Sequence, residues 1–253
     1  MTPVVVLGGL LCPAFVYREL RATLGALTGA PVRVVAPPPW EWLLAVAPVG
    51  WSLILRRLHR AVQTAIEQSE ATRVTLVGHS AGGVIARLYL APEPFRGDTF
   101  DGRRLVERLI TLGSPHNTRS GPMRRRVDAL VPGARFAPAV HYVAAAGSAL
   151  VGDASGRAAQ RLARLCYASL GDNGEAGGDG LVPVSVALLR DARHLTLPGV
   201  WHAPWFGRPW YGSRDAVPRW WQAATAGEVP NEPRAGVVSC VGRGPARSPG
   251  GCS

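Results

Sequence analysis

Short, nearly continuous apolar runs recur along the chain. They fall at Val4–Leu7, Val32–Ala36, Val74–Val77, Leu109–Leu112, Val140–Ala146 and His194–Leu197. Runs of four to seven β-branched and aliphatic residues without polar alternation suit strands buried on both faces. Between them, Tyr17–Leu27, Leu53–Gln68 and Ala81–Leu90 carry apolar residues at helical spacing. In the second of these, Leu53, Leu58, Val62, Ala65 and Ile66 are expected to line one face, with Arg56, Arg57, Arg60 and Gln63 outside it. Strands alternating with helices predict an α/β architecture, a mostly parallel sheet with helices on both faces.

Two segments interrupt the alternation. The stretch 37–51 is rich in Pro and Trp, and 114–138 is rich in Arg, Pro and Gly. Both follow the C-terminal ends of strands, the edge where open α/β sheets bind ligands. They are therefore expected to be loop or lid insertions at the mouth of a site. From residue 225 onward Gly, Pro, Arg and Ser dominate without periodicity, so the expected organisation is one domain over 1–224 and a disordered tail over 225–253. Trp42 to Leu55 is very apolar but too short for a membrane span, and Pro48 and Gly50 interrupt it.

Within this frame the strongest local motif is Gly78-His79-Ser80-Ala81-Gly82. It follows a strand and opens a helix, the context of the G-x-S-x-G nucleophile elbow of the α/β-hydrolase fold. Small residues at Gly78 and Gly82 let the strand and helix approach at a tight turn. The turn sets Ser80 at a helix N-terminus, where free N–H groups favour developing negative charge. A serine hydroxyl needs a general base, usually a histidine oriented by a carboxylate. In this fold the chain order is serine, acid, histidine. His59, His79, His116 and His141 come too early or sit within the elbow, and His194 begins the last strand. His202, just past that strand, is the candidate base. By order the acid is Asp153, Asp172, Asp179 or Asp191. Asp179 is the first choice, since Gly178 and Gly180 allow a sharp turn and Leu181-Val182-Pro183-Val184 can anchor it; Asp153 is the second. For the oxyanion, backbone donors are expected from Ala81, after the nucleophile, and from Leu10, in the loop after the first strand.

Composition narrows the class. The chain has 253 residues, of which 47% are hydrophobic and 18% charged, enough for one packed α/β domain. Net charge is +11, carried entirely by 28 arginines, since there is no lysine. The arginines are scattered apart from Arg124-Arg125-Arg126, with no basic stripe or module for nucleic acid. Nucleic acid is not an expected partner, whereas peripheral contact with an anionic lipid surface fits the charge. Cys12, Cys166, Cys240 and Cys252 form no metal or disulfide pattern, which fits a reducing compartment. No metal or organic cofactor is expected. No basic n-region precedes an apolar run, so no signal peptide is visible.

The motifs together resemble a family. They are Gly8-Gly9-Leu10-Leu11, Gly78-His79-Ser80-Ala81-Gly82-Gly83, Thr111-Leu112-Gly113-Ser114-Pro115-His116, Pro132-Gly133-Ala134, Gly178-Asp179-Gly180-Leu181-Val182-Pro183, Gly199-Val200-Trp201-His202 and Trp210-Tyr211-Gly212. Over roughly residues 3–222 the chain resembles the lipase-like α/β-hydrolases of cyanobacteria and plant plastids, and more distantly the lipases and the GPI-inositol-deacylase-like hydrolases. The resemblance implies hydrolysis of carboxylic esters, in particular acyl lipids, by Ser80, Asp179 and His202, with Leu10 in the oxyanion loop and a cytoplasmic or stromal location. Gly8 stands where lipases carry His or Pro before the second glycine, a departure that loosens the loop.

Three readings follow: an esterase or lipase, an acyltransferase using the same triad, and a non-catalytic lipid-binding relative of the fold. Product analysis with an added acceptor separates the first two, and loss of a triad member would have favoured the third. Trp40, Trp42, Trp51, Trp201, Trp205 and Trp210 cluster around the expected mouth, where apolar walls suit an acyl chain. Medium- and long-chain esters are therefore expected to be better substrates than acetates.

Overall fold

The computed structural model describes residues 1–118 and 122–226. The Gly/Pro/Arg-rich tail, apart from its first two residues, Cys240, Cys252 and Arg119 lie outside the described residues. The elements run β1 (Val4–Leu7), α1 (Arg18–Thr28), β2 (Val32–Val35), α2 (Pro39–Leu44), α3 (Pro48–Glu67), β3 (Val74–His79), α4 (Ala81–Tyr89), β4 (Val106–Leu112), α5 (Pro122–Leu130), β5 (His141–Ser148), β6 (Leu150–Val151), α6 (Ala158–Ser169), β7 (Gly177–Gly178), α7 (Val184–Ala187), β8 (Arg193–Pro198) and α8 (Val217–Thr225).

Six strands form one sheet in the order β2-β1-β3-β4-β5-β8, and every pairing in it is parallel. The six expected strands are these six. The short β6 and β7 pair with each other in an antiparallel ribbon. Residues of a strand alternate between faces, and β1 divides accordingly. Val5 and Leu7 join a core with Ile54, Leu55, Leu58 and Val62 of α3 and Ile85 and Leu88 of α4. Val4 and Val6 join a second core with Leu20 and Leu24 of α1 and Val217 and Trp220 of α8. The inner strands β1, β3, β4 and β5 are thus covered on both faces, which explains their nearly continuous apolar runs, whereas the edge strands β2 and β8 are more open and carry Arg33, Arg193 and His194.

The inserted segments are more ordered than expected. Residues 37–51 form α2 and the first turn of α3 rather than a loop, and α5 lies within 114–138. Because α3 starts at Pro48, its buried face is carried by Ile54 and Leu55 together with Leu58, Val62 and Ala65, while Leu53 is only half-buried. The α2–α3 pair is fastened by a charge-assisted contact between Arg57 and the buried Glu41 carboxylate. Both segments leave the C-terminal ends of their strands, and Trp42, Trp51, Pro115 and Thr118 line a cavity together with Ala81 of the elbow. Among the described residues, no helix is long and apolar enough to cross a membrane.

Candidate active site

Ser80 sits between β3 and α4 with φ 55° and ψ −131°. A non-glycine residue at such angles is strained and persists only where the surroundings enforce it. Here the enforcement is close packing. A Cβ on Gly78 would lie 2.4 Å from the Gly83 Cα, and one on Gly82 would lie 2.5 Å from the Leu7 carbonyl oxygen. No side chain fits at either place, so the strand and helix close tightly and push Ser80 out at the sheet edge.

His202 meets it there. Its Nε2 lies 3.0 Å from Ser80 Oγ, and its Nδ1 lies 2.8 Å from Asp179 Oδ2. Asp179 and His202 are buried and Ser80 is half-buried. A carboxylate only accepts hydrogen bonds, so Nδ1 carries the hydrogen toward Asp179 and Nε2 is left to accept the Ser80 hydroxyl proton. The loops bearing acid and base are also joined by their backbones, the His202 N–H donating to the Asp179 carbonyl at 2.8 Å.

Asp179 is held on every side. Oδ1 accepts the N–H groups of Leu181 at 3.0 Å and Val182 at 2.7 Å. Oδ2 accepts the Tyr211 hydroxyl at 2.9 Å as well as His202. Gly180 allows this turn, with φ at +95°. The Tyr211 oxygen in turn accepts the Gly147 N–H at the end of β5. Burial, reinforced by the neighbouring Asp179 charge, pushes the Tyr211 phenol well above its ordinary range, so it remains a donor.

The alternative acids are elsewhere. Asp153 is half-buried and caps its own turn at Ser155. Asp172 bonds Ser185 and the Gly174 N–H. Among the other histidines, His59 faces Tyr89, His116 faces Thr111 and Arg87, and His194 faces the Leu189 carbonyl.

The loop after β1 approaches Ser80 closely, since a Cβ on Gly9 would lie 2.8 Å from the serine Cβ. The Gly9 N–H donates to Tyr17 Oη at 2.8 Å. The N–H groups of Leu10 and Ala81 have no hydrogen-bond acceptor among the described residues. They are the two donors that the residue pattern proposed for an oxyanion. Gly8, the departure from the lipase pattern, has a physical role here: a Cβ at that position would collide with the Tyr17 ring at 2.9 Å.

Tyr17 and Tyr211 were not singled out as site residues from the pattern. Both act across long sequence separations, and the only local signal was the Trp210-Tyr211-Gly212 motif. The tryptophan expectation is half corrected. Trp42, Trp51 and Trp205 line cavities beside Ser80. Trp210 is instead buried against Tyr17 and His79, where edge-to-face contacts fasten the base loop to the core. Trp201 covers Gly180, and Trp40 is half-exposed and lines neither cavity. Cys12 and Cys166 are free thiols. Among the described residues no group of three or more His, Cys, Asp or Glu is arranged to hold a metal ion.

Comparison with known proteins bears on the fold. A family profile described as a PGAP1-like alpha/beta domain matches residues 53–129, a stretch that holds most of α3, the elbow and β4. Comparison with curated proteins finds no match. Among solved structures, the lin2722 gene product of Listeria innocua is similar over 91% of this chain and 96% of its own, at 14% identity and a TM-score of 0.52. A putative hydrolase of the α/β superfamily from Xanthomonas campestris pv. campestris is similar over 88% and 99%, at 16% identity and a TM-score of 0.46. With its parallel six-stranded sheet, its strained serine between β3 and α4, and acid and histidine following in that order, the chain has the α/β-hydrolase fold.

Proposed function

We propose that the protein is a serine hydrolase of carboxylic esters, with Ser80 as nucleophile, His202 as general base and acid, and Asp179 as the carboxylate that orients and stabilises the imidazole. The observation that carries this reading is the unbroken chain Ser80–His202–Asp179 at 3.0 and 2.8 Å beside two backbone donors that have no acceptor among the described residues.

Each residue has a defined task. Ser80 Oγ attacks the ester carbonyl carbon as His202 Nε2 takes its proton. The carbonyl oxygen becomes negative and is met by the N–H groups of Leu10 and Ala81. The C–O bond to the alcohol breaks, and His202 returns the proton to the leaving oxygen. Water, deprotonated by His202, then attacks the acyl-enzyme. The acid is released and Ser80 regains its proton. Asp179 stays ionised throughout and favours the transient imidazolium.

The likeness of the motifs to the lipase-like hydrolases of cyanobacteria and plant plastids supports acyl lipids as the ester class. The rim of the site supports the same class. Leu10, Val46 and Trp205 line the cavities beside Ser80, yet they are 53%, 90% and 58% exposed. An apolar rim around a mouth suits peripheral contact with a lipid surface. The reading is tested by hydrolysis of p-nitrophenyl and glycerol esters by the wild type and Ser80→Ala. Turnover by the wild type alone is expected; equal rates from both proteins would overturn it.

A further inference from the structure

Two apolar cavities meet beside Ser80, at Leu10, Ala81 and Pro115. The first, of about 300 Å³, lies under α2 and is lined by Trp42, Ala45, Val46, Trp51, Val84 and Ile85. The second, of about 350 Å³, contains Ser80 and His202 and is walled by Leu170, Leu181, Trp205 and Phe206. Neither lining includes Asp, Glu or Arg among the described residues, so the described walls of both favour an uncharged substrate.

The direction of proton transfer distinguishes the two. His202 Nε2 must reach the leaving oxygen to protonate it, so the alcohol departs on the His202 side, into the second cavity. The carbonyl oxygen is directed at Leu10 and Ala81. The third substituent of the planar carbonyl carbon then leaves in the remaining direction, past Leu10, Ala81 and Pro115, into the first cavity. Building on the serine-hydrolase reading, we propose that the cavity under α2 is the acyl-chain site, that it selects linear apolar acyl groups, and that Val84 and Trp42 set the chain length accepted. Val84 is buried one turn of α4 beyond Ser80. Trp42 is buried too, and its Nε1 has no partner among the described residues. Replacing Trp42 by Phe therefore widens the cavity without breaking a hydrogen bond.

The test is kcat/KM over p-nitrophenyl acetate, butyrate, octanoate and dodecanoate, with a fluorophosphonate adduct on Ser80 checked by intact mass for each protein. The wild type is expected to prefer octanoate over acetate by at least about tenfold, the scale on which apolar pockets discriminate chain length. Val84→Phe should lower that ratio by about tenfold or more, and Trp42→Phe should move the optimum to longer chains. Leu170→Trp should change the preference among leaving alcohols instead. An acyl preference that shifts with Leu170→Trp but not with Val84→Phe or Trp42→Phe would reverse the two cavities and overturn the proposal. A flat acyl profile in a wild type that still forms the Ser80 adduct would overturn it as well. Absence of the adduct in the wild type would instead remove the hydrolase reading beneath it.

Discussion

Tyr17 Oη lies 2.8 Å from Nδ1 of His79, the residue immediately before the nucleophile. The protons in this contact can be assigned. His79 Nε2 faces the His202 carbonyl oxygen at 3.0 Å, and a carbonyl only accepts, so Nε2 carries the hydrogen. Nδ1 is then bare and accepts the Tyr17 hydroxyl, whose oxygen accepts the Gly9 N–H. One buried relay thus links the oxyanion loop, the elbow and the backbone of the catalytic base. Burial, with a smaller contribution from nearby His202, pushes the His79 imidazole down to about 3, in agreement with a neutral ring at this junction.

Tyr17→Phe removes the centre of that relay and leaves a buried N–H and a buried ring nitrogen unpaired. Each unpaired group costs about 1–3 kcal/mol. The expected outcome is a lowered Tm together with a fall in kcat of about tenfold, because the loop that carries the Leu10 donor loses its anchor at Gly9. Steady-state kinetics beside thermal melts measure both; an unchanged kcat would detach Tyr17 from catalysis.

His79 makes stability depend on pH. Its folded value is depressed below the ordinary value of about 6.5. Between these values the unfolded chain binds a proton that the folded chain refuses, so stability rises with pH through this window. The contribution is complete above about pH 6.5 and is lost as pH falls toward 3. For one group the slope approaches about 1.4 kcal/mol per pH unit. Urea unfolding at pH 5.0, 5.5, 6.0 and 6.5, above the ordinary carboxylate range, should show this slope in the wild type and a flatter one in His79→Gln. Equal slopes would contradict the assignment.

Tyr211 positions Asp179 rather than touching substrate. In Tyr211→Phe the carboxylate keeps three donors, and the expected loss in kcat is about tenfold, with the Gly147 N–H left without its acceptor. Asp179→Asn replaces the acceptor that fixes the His202 tautomer, and about a 10³- to 10⁴-fold loss in kcat is expected. Comparing the two variants on one ester checks the ranking; a larger loss from Tyr211→Phe would mean that the phenol, not the acid, governs the histidine.

The parts of this site that could be read from the chain are those written locally. The elbow is a five-residue motif, and its glycines are required by contacts within the motif or with the adjacent strand. Asp179 and His202 follow from chain order and from their places between and after strands. The inner strands were legible because both of their faces are covered, which removes most polar residues from them. The roles of Tyr17 and Tyr211 were not legible, since they reach partners 62 and 32 residues away in sequence, and the Trp210-Tyr211-Gly212 motif marks Tyr211 without naming its partner. Helix α2 was hidden by its prolines and tryptophans. It is held by tertiary contacts, Trp42 in the core and Glu41 to Arg57, although Pro39 and Pro48 in first helical turns are a start signal that could have been used.

The central claim is that Ser80 is an activated nucleophile. Intact-mass measurement after treatment with a fluorophosphonate probe tests it without knowledge of the substrate, using the wild type beside Ser80→Ala and His202→Ala. One adduct per wild-type molecule is expected, with none on Ser80→Ala and a strongly slowed reaction on His202→Ala. A folded wild type that takes up no probe, or a Ser80→Ala protein labelled as fast as the wild type, would contradict it.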